Sequence, residues 1–143
     1  MGKLLRSLRK AAFQSQHGRC YYCRFPMWEG DRTEFCRLRG VPPAVAAHAQ
    51  STAEHLIAQQ DGGLDVADNI VAACAWCNRM RHEGRGRCAP SAADYMRVVR
   101  ERVTAGVWHP LARYLASVGR LNVPSVKGVV ARTSDSSAST LKI

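Results

Sequence analysis

The sequence contains no long apolar run and has few acidic residues, aromatic residues or lysines. No stretch of about eighteen apolar residues occurs, which excludes a membrane-spanning helix of ordinary length. Residues 1–16 lack an apolar core followed by a small-residue cleavage site, so we expect neither secretion nor a disulfide scaffold. Hydrophobic residues make up 46% of the 143 residues, which is normal for a folded domain and excludes wholesale disorder.

Acidic residues are scarce relative to basic ones: 11 Asp and Glu stand against 21 Lys and Arg, a formal net charge of +10. Only four of the basic residues are Lys and 17 are Arg, whose guanidinium binds phosphate through paired hydrogen bonds. This balance indicates a polyanionic partner, with nucleic acid first and an anionic membrane surface second. No acid precedes Glu29, so an organellar targeting segment is the alternative to the cytoplasmic location that we expect.

Six cysteines are present, and four of them form two Cys-x-x-Cys pairs, Cys20/Cys23 and Cys74/Cys77. In a cytoplasmic protein such pairs usually bind metal, and four thiolates complete a tetrahedral zinc site with no open position. The alternative is a buried or redox-active pair, but a thioredoxin-like motif needs a βαβ setting that is missing here. Two further residues, Cys36 and Cys88, have no partner at ligand spacing, and we interpret them as small core residues or free thiols.

Hydrophobic spacing predicts a mixture of helices and strands. The expected elements are a basic amphipathic helix over residues 1–18, a strand-like stretch over 33–38, strands over 52–57 and 69–73, and a helix over 76–83. Beyond residue 90, apolar stripes predict a helical extension over residues 89–122, followed by a Ser- and Thr-rich flexible tail over 123–143. The metal-bound domain is then expected over residues 19–88, with an elaboration at 24–50.

Residues suited to metal binding and proton transfer lie between and just after the cysteine pairs. Asn78 and His82 are four residues apart, so they project from one face of the predicted helix, and Glu54 can approach from the neighbouring strand. The oxygen donors of such a set favour a hard cation such as Mg²⁺ or Mn²⁺. His55 follows Glu54 on the strand and should project to the opposite side, where an imidazole can accept a proton at physiological pH.

This combination resembles the HNH nucleases, whose ββα-metal core carries an acid–His or His–His step, a central Asn and a helix with metal ligands. Many members also carry two zinc-binding Cys-x-x-Cys pairs that flank the core. The resemblance covers residues 19–84 and is densest over 54–82. It implies an α+β fold, a small zinc-stapled ββα-metal core with added N- and C-terminal helices.

By position, the resemblance also implies a role for each residue. His55 would be the general base that activates water, and Asn69 would orient His55 through its side-chain amide. Many relatives have Asp where Glu54 stands, and others have His where Asn78 stands. One catalytic Mg²⁺ or Mn²⁺ would be held by Glu54, Asn78 and His82, and one structural Zn²⁺ by Cys20, Cys23, Cys74 and Cys77.

Arginines cluster in and just past the predicted metal helix, at Arg79, Arg81, Arg85 and Arg87. We expect them to contact phosphates, the alternative being a solvated basic face. The implied function is metal-dependent hydrolysis of DNA, by nicking or cutting, with DNA favoured over RNA by the resemblance. A non-catalytic zinc-containing DNA-binding module on the same scaffold is the alternative, and a redox protein is the third. No membrane partner is expected, and the oligomeric state stays open.

Overall fold

The computed structural model describes residues 2–83 and 89–117 of the chain. The predicted tail over 123–143, together with Arg85, Arg87 and Cys88, lies outside these residues. Within them, helices and two strands follow in the order α1 (Lys3–Ser15), α2 (Arg32–Arg39), α3 (Pro43–Ala46), β1 (Ser51–His55), β2 (Ile70–Cys74), α4 (Ala75–His82), α5 (Ala92–Thr104) and α6 (Ala112–Ser117). This is the α+β fold that the sequence predicts. No helix in the described ranges is long and apolar enough to cross a membrane.

The two strands form an antiparallel hairpin that leads directly into a helix. Ser51 pairs with Cys74 at one end of the ladder and His55 pairs with Ile70 at the other. Because β2 ends at Cys74 and α4 begins at Ala75, no loop separates the strand from the helix. The predicted strands over 52–57 and 69–73 and the predicted helix over 76–83 are confirmed within two residues at each end.

The strand-like stretch predicted over residues 33–38 is wrong, since this segment belongs to helix α2. The Asp31 carboxylate caps the helix by accepting hydrogen bonds from the backbone N–H groups of Thr33 and Glu34, at 2.7 and 3.1 Å. Gly40 ends it in the left-handed conformation, with φ of 61°. These two end signals decide the helix, and Phe35 is the residue that α2 buries.

The elaboration at residues 24–50 is tied to the start of β1 through one tryptophan. The backbone N–H of Trp28 donates to the Ala49 carbonyl at 3.1 Å, and its own carbonyl accepts from the Ser51 N–H at 2.9 Å. The Trp28 indole N–H donates to the Ala46 carbonyl at 2.7 Å. This segment therefore extends the strand arrangement instead of looping away from it.

One hydrophobic core runs from the first cysteine pair into the C-terminal helices. It contains Tyr22 and Phe25 beside the cysteines, and it also contains Val99, Trp108 and Leu111 from the region after residue 89. The C-terminal extension is thus packed into the same core as the hairpin and α4. Within the described residues, the predicted boundary at residue 89 does not separate two cores.

Helix α1 packs along β2 and is followed by a glutamine that pairs with the strand. The Gln16 side-chain amide donates to the Ala72 carbonyl at 2.8 Å, and its oxygen accepts from the Ala72 N–H at 2.9 Å. These two bonds reproduce the pattern that a neighbouring strand residue would make. The amide therefore covers part of the β2 edge that β1 leaves open.

Replacing this amide should weaken the fold. Gln16→Ala removes both side-chain hydrogen bonds to the buried Ala72 backbone, so the Ala72 N–H loses its bond to the Gln16 oxygen while the carbonyl keeps its bond from the Tyr21 N–H. We expect a loss of about 1–3 kcal/mol in the free energy of unfolding, measured by chemical denaturation. Gln14→Ala, at an exposed position of α1, is the control and should change it by less than about 0.5 kcal/mol. Equal effects of the two substitutions would contradict the pairing.

Candidate metal and catalytic site

The two Cys-x-x-Cys pairs converge on one point in the core. The Sγ atoms of Cys20, Cys23, Cys74 and Cys77 all lie within 4.8 Å of one another, and all four residues are buried. A tetrahedral zinc site with metal–sulfur distances of about 2.3 Å has sulfur–sulfur edges of about 3.8 Å. The Cys23 and Cys74 sulfurs are 3.9 Å apart, close to that edge. The cluster therefore fits a four-thiolate ion such as Zn²⁺.

Three N–H donors from two parts of the chain point at these sulfurs. The Cys74 N–H donates to the Cys20 sulfur at 3.3 Å, and the Cys77 N–H donates to the Cys74 sulfur at 3.4 Å. The Trp108 indole N–H donates to the Cys77 sulfur at 3.2 Å. Such donors stabilise negative charge on sulfur, which is the form that binds metal.

His109 reaches the same cluster from the C-terminal extension. Burial lowers the pKa of His109 to about 4, so the ring is neutral at neutral pH. The Leu111 N–H donates to its Nδ1 at 2.9 Å, which leaves the ring proton on Nε2. Nε2 lies 3.6 Å from the Cys74 sulfur and faces it as a donor. Cysteine spacing carries no signal for Trp108 or His109, because they lie over 30 residues beyond Cys74 and Cys77.

The cysteines of the cluster differ in acidity: burial raises the pKa of the Cys20 thiol, but hydrogen bonds with Cys23, Cys74 and Cys77 outweigh it and hold that pKa well below its usual range. Burial raises the pKa of the Cys74 and Cys77 thiols, and hydrogen bonds with the Cys20 and Cys23 sulfurs raise it further. A divalent ion replaces the thiol protons, so its binding is coupled to proton release and to folding.

A cleft of about 340 Å³ lies between the end of β1, the turn that follows it and helix α4. Its walls include Glu54 and His55 from the strand and Asn78 and His82 from the helix. The structure thus brings four of the five residues predicted for catalysis and the second metal to one opening, and Asn69 is not among the residues that line it.

Glu54 is 2% exposed and sits in a network centred on its Oε1 atom. The Arg81 guanidinium donates to Oε1, the Tyr22 hydroxyl donates to it at 3.2 Å, and the His82 Nε2 lies 3.5 Å away. None of these three contacts uses Oε2. The carboxylate is therefore held by its neighbours while it lines the cleft.

The remaining donors fit a hard divalent ion. The Asn78 Nδ2 donates to the Thr52 hydroxyl and the Ala53 carbonyl, at 3.0 and 3.1 Å. These bonds fix the amide so that Oδ1 is the atom left to accept. With the carboxylate of Glu54 and the imidazole of His82, the cleft offers two oxygen donors and one nitrogen donor, a set suited to Mg²⁺ or Mn²⁺.

His55 contacts a residue that the sequence did not point to. Its Nε2 lies 2.7 Å from Oδ1 of Asp65, and the Gln59 side-chain amide donates to the same oxygen at 3.3 Å. The Gly62-Gly63 signal in the sequence indicates only a loop here. Its path, which brings Asp65 back to β1 ten residues later, depends on tertiary structure.

The side-chain amide of Asn69, through which the resemblance implies that it orients His55, bonds to the loop backbone. Its Oδ1 accepts from the Ile57 N–H at 2.8 Å, and its Nδ2 donates to the carbonyls of Ile57 and Leu64 at 3.1 and 3.0 Å. The amide thus ties the two ends of the loop between the strands together. Any effect of Asn69 on His55 acts through this loop.

The two predicted phosphate-binding arginines that the structure describes have opposite environments. Arg79 is exposed, and its guanidinium carbon lies 5.0 Å from the centre of the Trp76 ring. Arg81 is 2% exposed and also donates to the carbonyls of His55, Leu56 and Pro90. Of these two arginines Arg79 is the one that solvent reaches, whereas Arg81 compensates the buried charge of Glu54.

Loss of the cysteine cluster should unfold the domain. Cys77→Ser is expected to remove stoichiometric zinc and the cooperative thermal transition, because structural zinc sites contribute on the order of 10 kcal/mol to folding. Metal content and thermal unfolding check this. Cys36→Ser is the control, since Cys36 is a free cysteine outside the cluster, and it should retain both. A Cys77→Ser protein with one tightly bound zinc would refute the assignment.

The buried Arg81–Glu54 ion pair should contribute more to the free energy of unfolding than exposed Arg79 does. Arg81→Ala leaves Glu54 uncompensated in the core, and we expect a loss of about 3–5 kcal/mol in the free energy of unfolding. Arg79→Ala, two residues away on the surface, should cost less than about 1 kcal/mol. Denaturant titration of both variants measures the contrast, and a small effect of Arg81→Ala would contradict it.

Comparison with known proteins adds an independent observation. Residues 39–84 match the family model described as HNH endonuclease. Searches of the curated proteins and of the solved structures returned no match. The matched segment contains β1, β2 and α4, the cleft between them and the second cysteine pair of the cluster. The match covers about a third of the chain, and together with the four-cysteine cluster it supports the resemblance to the HNH nucleases.

Proposed function

We propose that the protein is a metal-dependent endonuclease that hydrolyses DNA phosphodiester bonds, by nicking or cutting, with a histidine general base and one divalent ion. The observation that carries this proposal is the single cleft lined by Glu54, His55, Asn78 and His82. These residues come from two elements, and each supplies a group that phosphodiester hydrolysis needs.

Glu54, Asn78 and His82 are the residues that would hold the catalytic Mg²⁺ or Mn²⁺. When bound, the ion supplies positive charge that polarises the scissile phosphate and stabilises the leaving oxygen. The protein's contribution is to hold the donors. Arg81 and Tyr22 fix the Glu54 carboxylate, and the hydrogen bonds to Thr52 and Ala53 fix the Asn78 amide.

His55 is the proposed general base. Its ring is 13% exposed at the end of β1, so it reaches the cleft while its orientation is restricted by packing. It removes a proton from water, and the electron pair left on the water oxygen forms the new bond to phosphorus. The bond from phosphorus to the leaving oxygen then breaks. General-base assistance of this kind is typically worth about 100- to 10,000-fold in rate.

Charge and position support DNA as the substrate. The net charge of +10 favours a polyanion, and exposed Arg79 lies on α4 one residue after the cleft residue Asn78. Arg85 and Arg87, which follow α4 in the sequence, are proposed to extend this contact. The cysteine cluster is proposed to hold Zn²⁺ in a structural role, since all four of its positions are filled by sulfur.

One observation favours a second candidate, a non-catalytic zinc-containing DNA-binding module. Arg81 already neutralises the Glu54 carboxylate in the core, which weakens the attraction of that site for a cation. In such a module the cleft would be retained as scaffold, and binding would depend on the basic surface alone. The two candidates differ in whether a divalent ion leads to strand breakage.

A plasmid assay separates them. The full chain is incubated with supercoiled DNA in Mg²⁺ or Mn²⁺, with and without EDTA added at the start of the reaction. We expect ion-dependent relaxation or linearisation, and a decrease of about 100- to 10,000-fold for His55→Ala. The control is His17→Asn, which changes another histidine at a positive φ that asparagine tolerates and should cut at the parent rate.

Folding is followed in the same samples by zinc content and thermal unfolding, so that a misfolded variant is recognised. Ion-dependent cutting by His55→Ala at the parent rate would refute the role of His55. DNA binding by the parent protein without cutting in any divalent ion would favour the non-catalytic module.

A further inference from the structure

A carboxylate lies against the ring that the proposed function uses as a base. Asp65 Oδ1 is 2.7 Å from His55 Nε2, in the range of a charge-assisted hydrogen bond. Asp65 is only 36% exposed and His55 only 13%, so both side chains have restricted freedom. The resemblance implies an orienting role for Asn69, and its amide bonds to the loop backbone.

The loop that carries Asp65 is fixed on both sides of that residue. The Leu64 carbonyl accepts from the Asn69 amide at 3.0 Å and from the Val66 N–H at 3.0 Å. The Val66 carbonyl in turn accepts from the Asn69 N–H at 3.0 Å. Asp65 therefore sits in a segment whose backbone has little freedom to move the carboxylate away from His55.

Gly63 allows this loop to close. A Cβ atom at position 63 would lie 1.8 Å from the Ile57 carbonyl oxygen and 2.9 Å from the Asn69 Nδ2. Any side chain here would separate the two loop ends that Asn69 joins. The close contact between the Gly63 and Ile57 backbones thus helps to hold Asp65 in place.

The contact with Asp65 decides which ring nitrogen of His55 has a lone pair that can accept a proton. An ionised carboxylate only accepts hydrogen bonds, so the nitrogen that faces it must carry the proton. In a neutral His55 that nitrogen is Nε2, and the lone pair then lies on Nδ1. A base held in the other tautomer would present an N–H, which cannot accept a proton from water.

We propose that Asp65 is the positioning residue of the general base: it holds His55 in the Nε2–H tautomer and leaves Nδ1 to take the proton from the attacking water. This rests on the proposed function of His55. The proton leaves the water oxygen for Nδ1, and the Nε2 proton stays between the ring and Asp65. The resulting imidazolium is paired with the carboxylate, so the positive charge is stabilised where it forms.

The kinetic test compares three substitutions at position 65 with a charge-matched control on the same loop. Asp65→Asn and Asp65→Ala should lower kcat for DNA cleavage by about 10- to 100-fold and leave KM nearly unchanged. Asp65→Glu, which keeps the carboxylate on a longer chain, should recover part of the loss. Asp68→Asn removes the same charge from an exposed residue and should cleave like the parent.

A spectroscopic test reads the tautomer without relying on activity. Two-bond ¹H–¹⁵N correlation spectra of the folded protein distinguish a protonated Nε2 from a protonated Nδ1, and the His55→Ala spectrum identifies the His55 signals. We expect the Nε2–H form alone in the parent and in Asp68→Asn, and a measurable fraction of the Nδ1–H form in Asp65→Ala.

The cleavage assay and the spectra distinguish a failure of the proposed nuclease function from a failure of the proposed role of Asp65. A parent protein that cuts no DNA in any divalent ion refutes the proposed function, while the spectra still decide whether Asp65 fixes His55. An unchanged Nε2–H fraction of His55 in Asp65→Ala, or an Asp65→Asn variant that cuts at the parent rate or faster, overturns the role of Asp65.

Discussion

The convergence of four buried sulfurs within 4.8 Å of one another is the constraint on which the rest of the structure depends. It joins the turn after α1 to the junction between β2 and α4. The C-terminal extension completes it, because Trp108 and His109 face the Cys77 and Cys74 sulfurs. A cluster shared by three parts of the chain makes their packing cooperative, since none can leave without exposing sulfur and the aromatic rings around it.

Helix α4 connects the cysteine cluster to the cleft. Cys77 points into the cluster, and the next residue, Asn78, lines the cleft. Successive helical residues are about 100° apart, so neighbouring residues of one short helix face the sulfurs and the cleft. Arg81 lies one turn after Cys77, between these two directions, and reaches back to Glu54 on β1. The spacing between cluster and cleft is thus set by the helix itself.

Two arginines of α4, Arg79 and Arg81, have different surroundings although they are only two residues apart. Arg79 is exposed over Trp76, whereas Arg81 is the largest fully buried side chain in the described part of the chain. A four-thiolate zinc would carry two negative charges, so a zinc-loaded protein would have a net charge of about +8 in place of the formal +10. Arg81 and the four sulfurs have their partners inside the fold.

The sequence by itself determined the hairpin, helix α4, the two cysteine pairs and the residue types of the cleft. These depend on spacing over a few residues, which hydrophobic period and ligand geometry govern directly. Helix α2 was also readable, since Asp31 and Gly40 are ordinary end signals that outweigh the strand-like composition between them. Tertiary structure decided the partners: Asp65 rather than Asn69 at His55, Glu54 rather than solvent at Arg81, and Trp108 at Cys77. These pairs are separated by 10, 27 and 31 residues, and their contact depends on loop closures that no local pattern encodes.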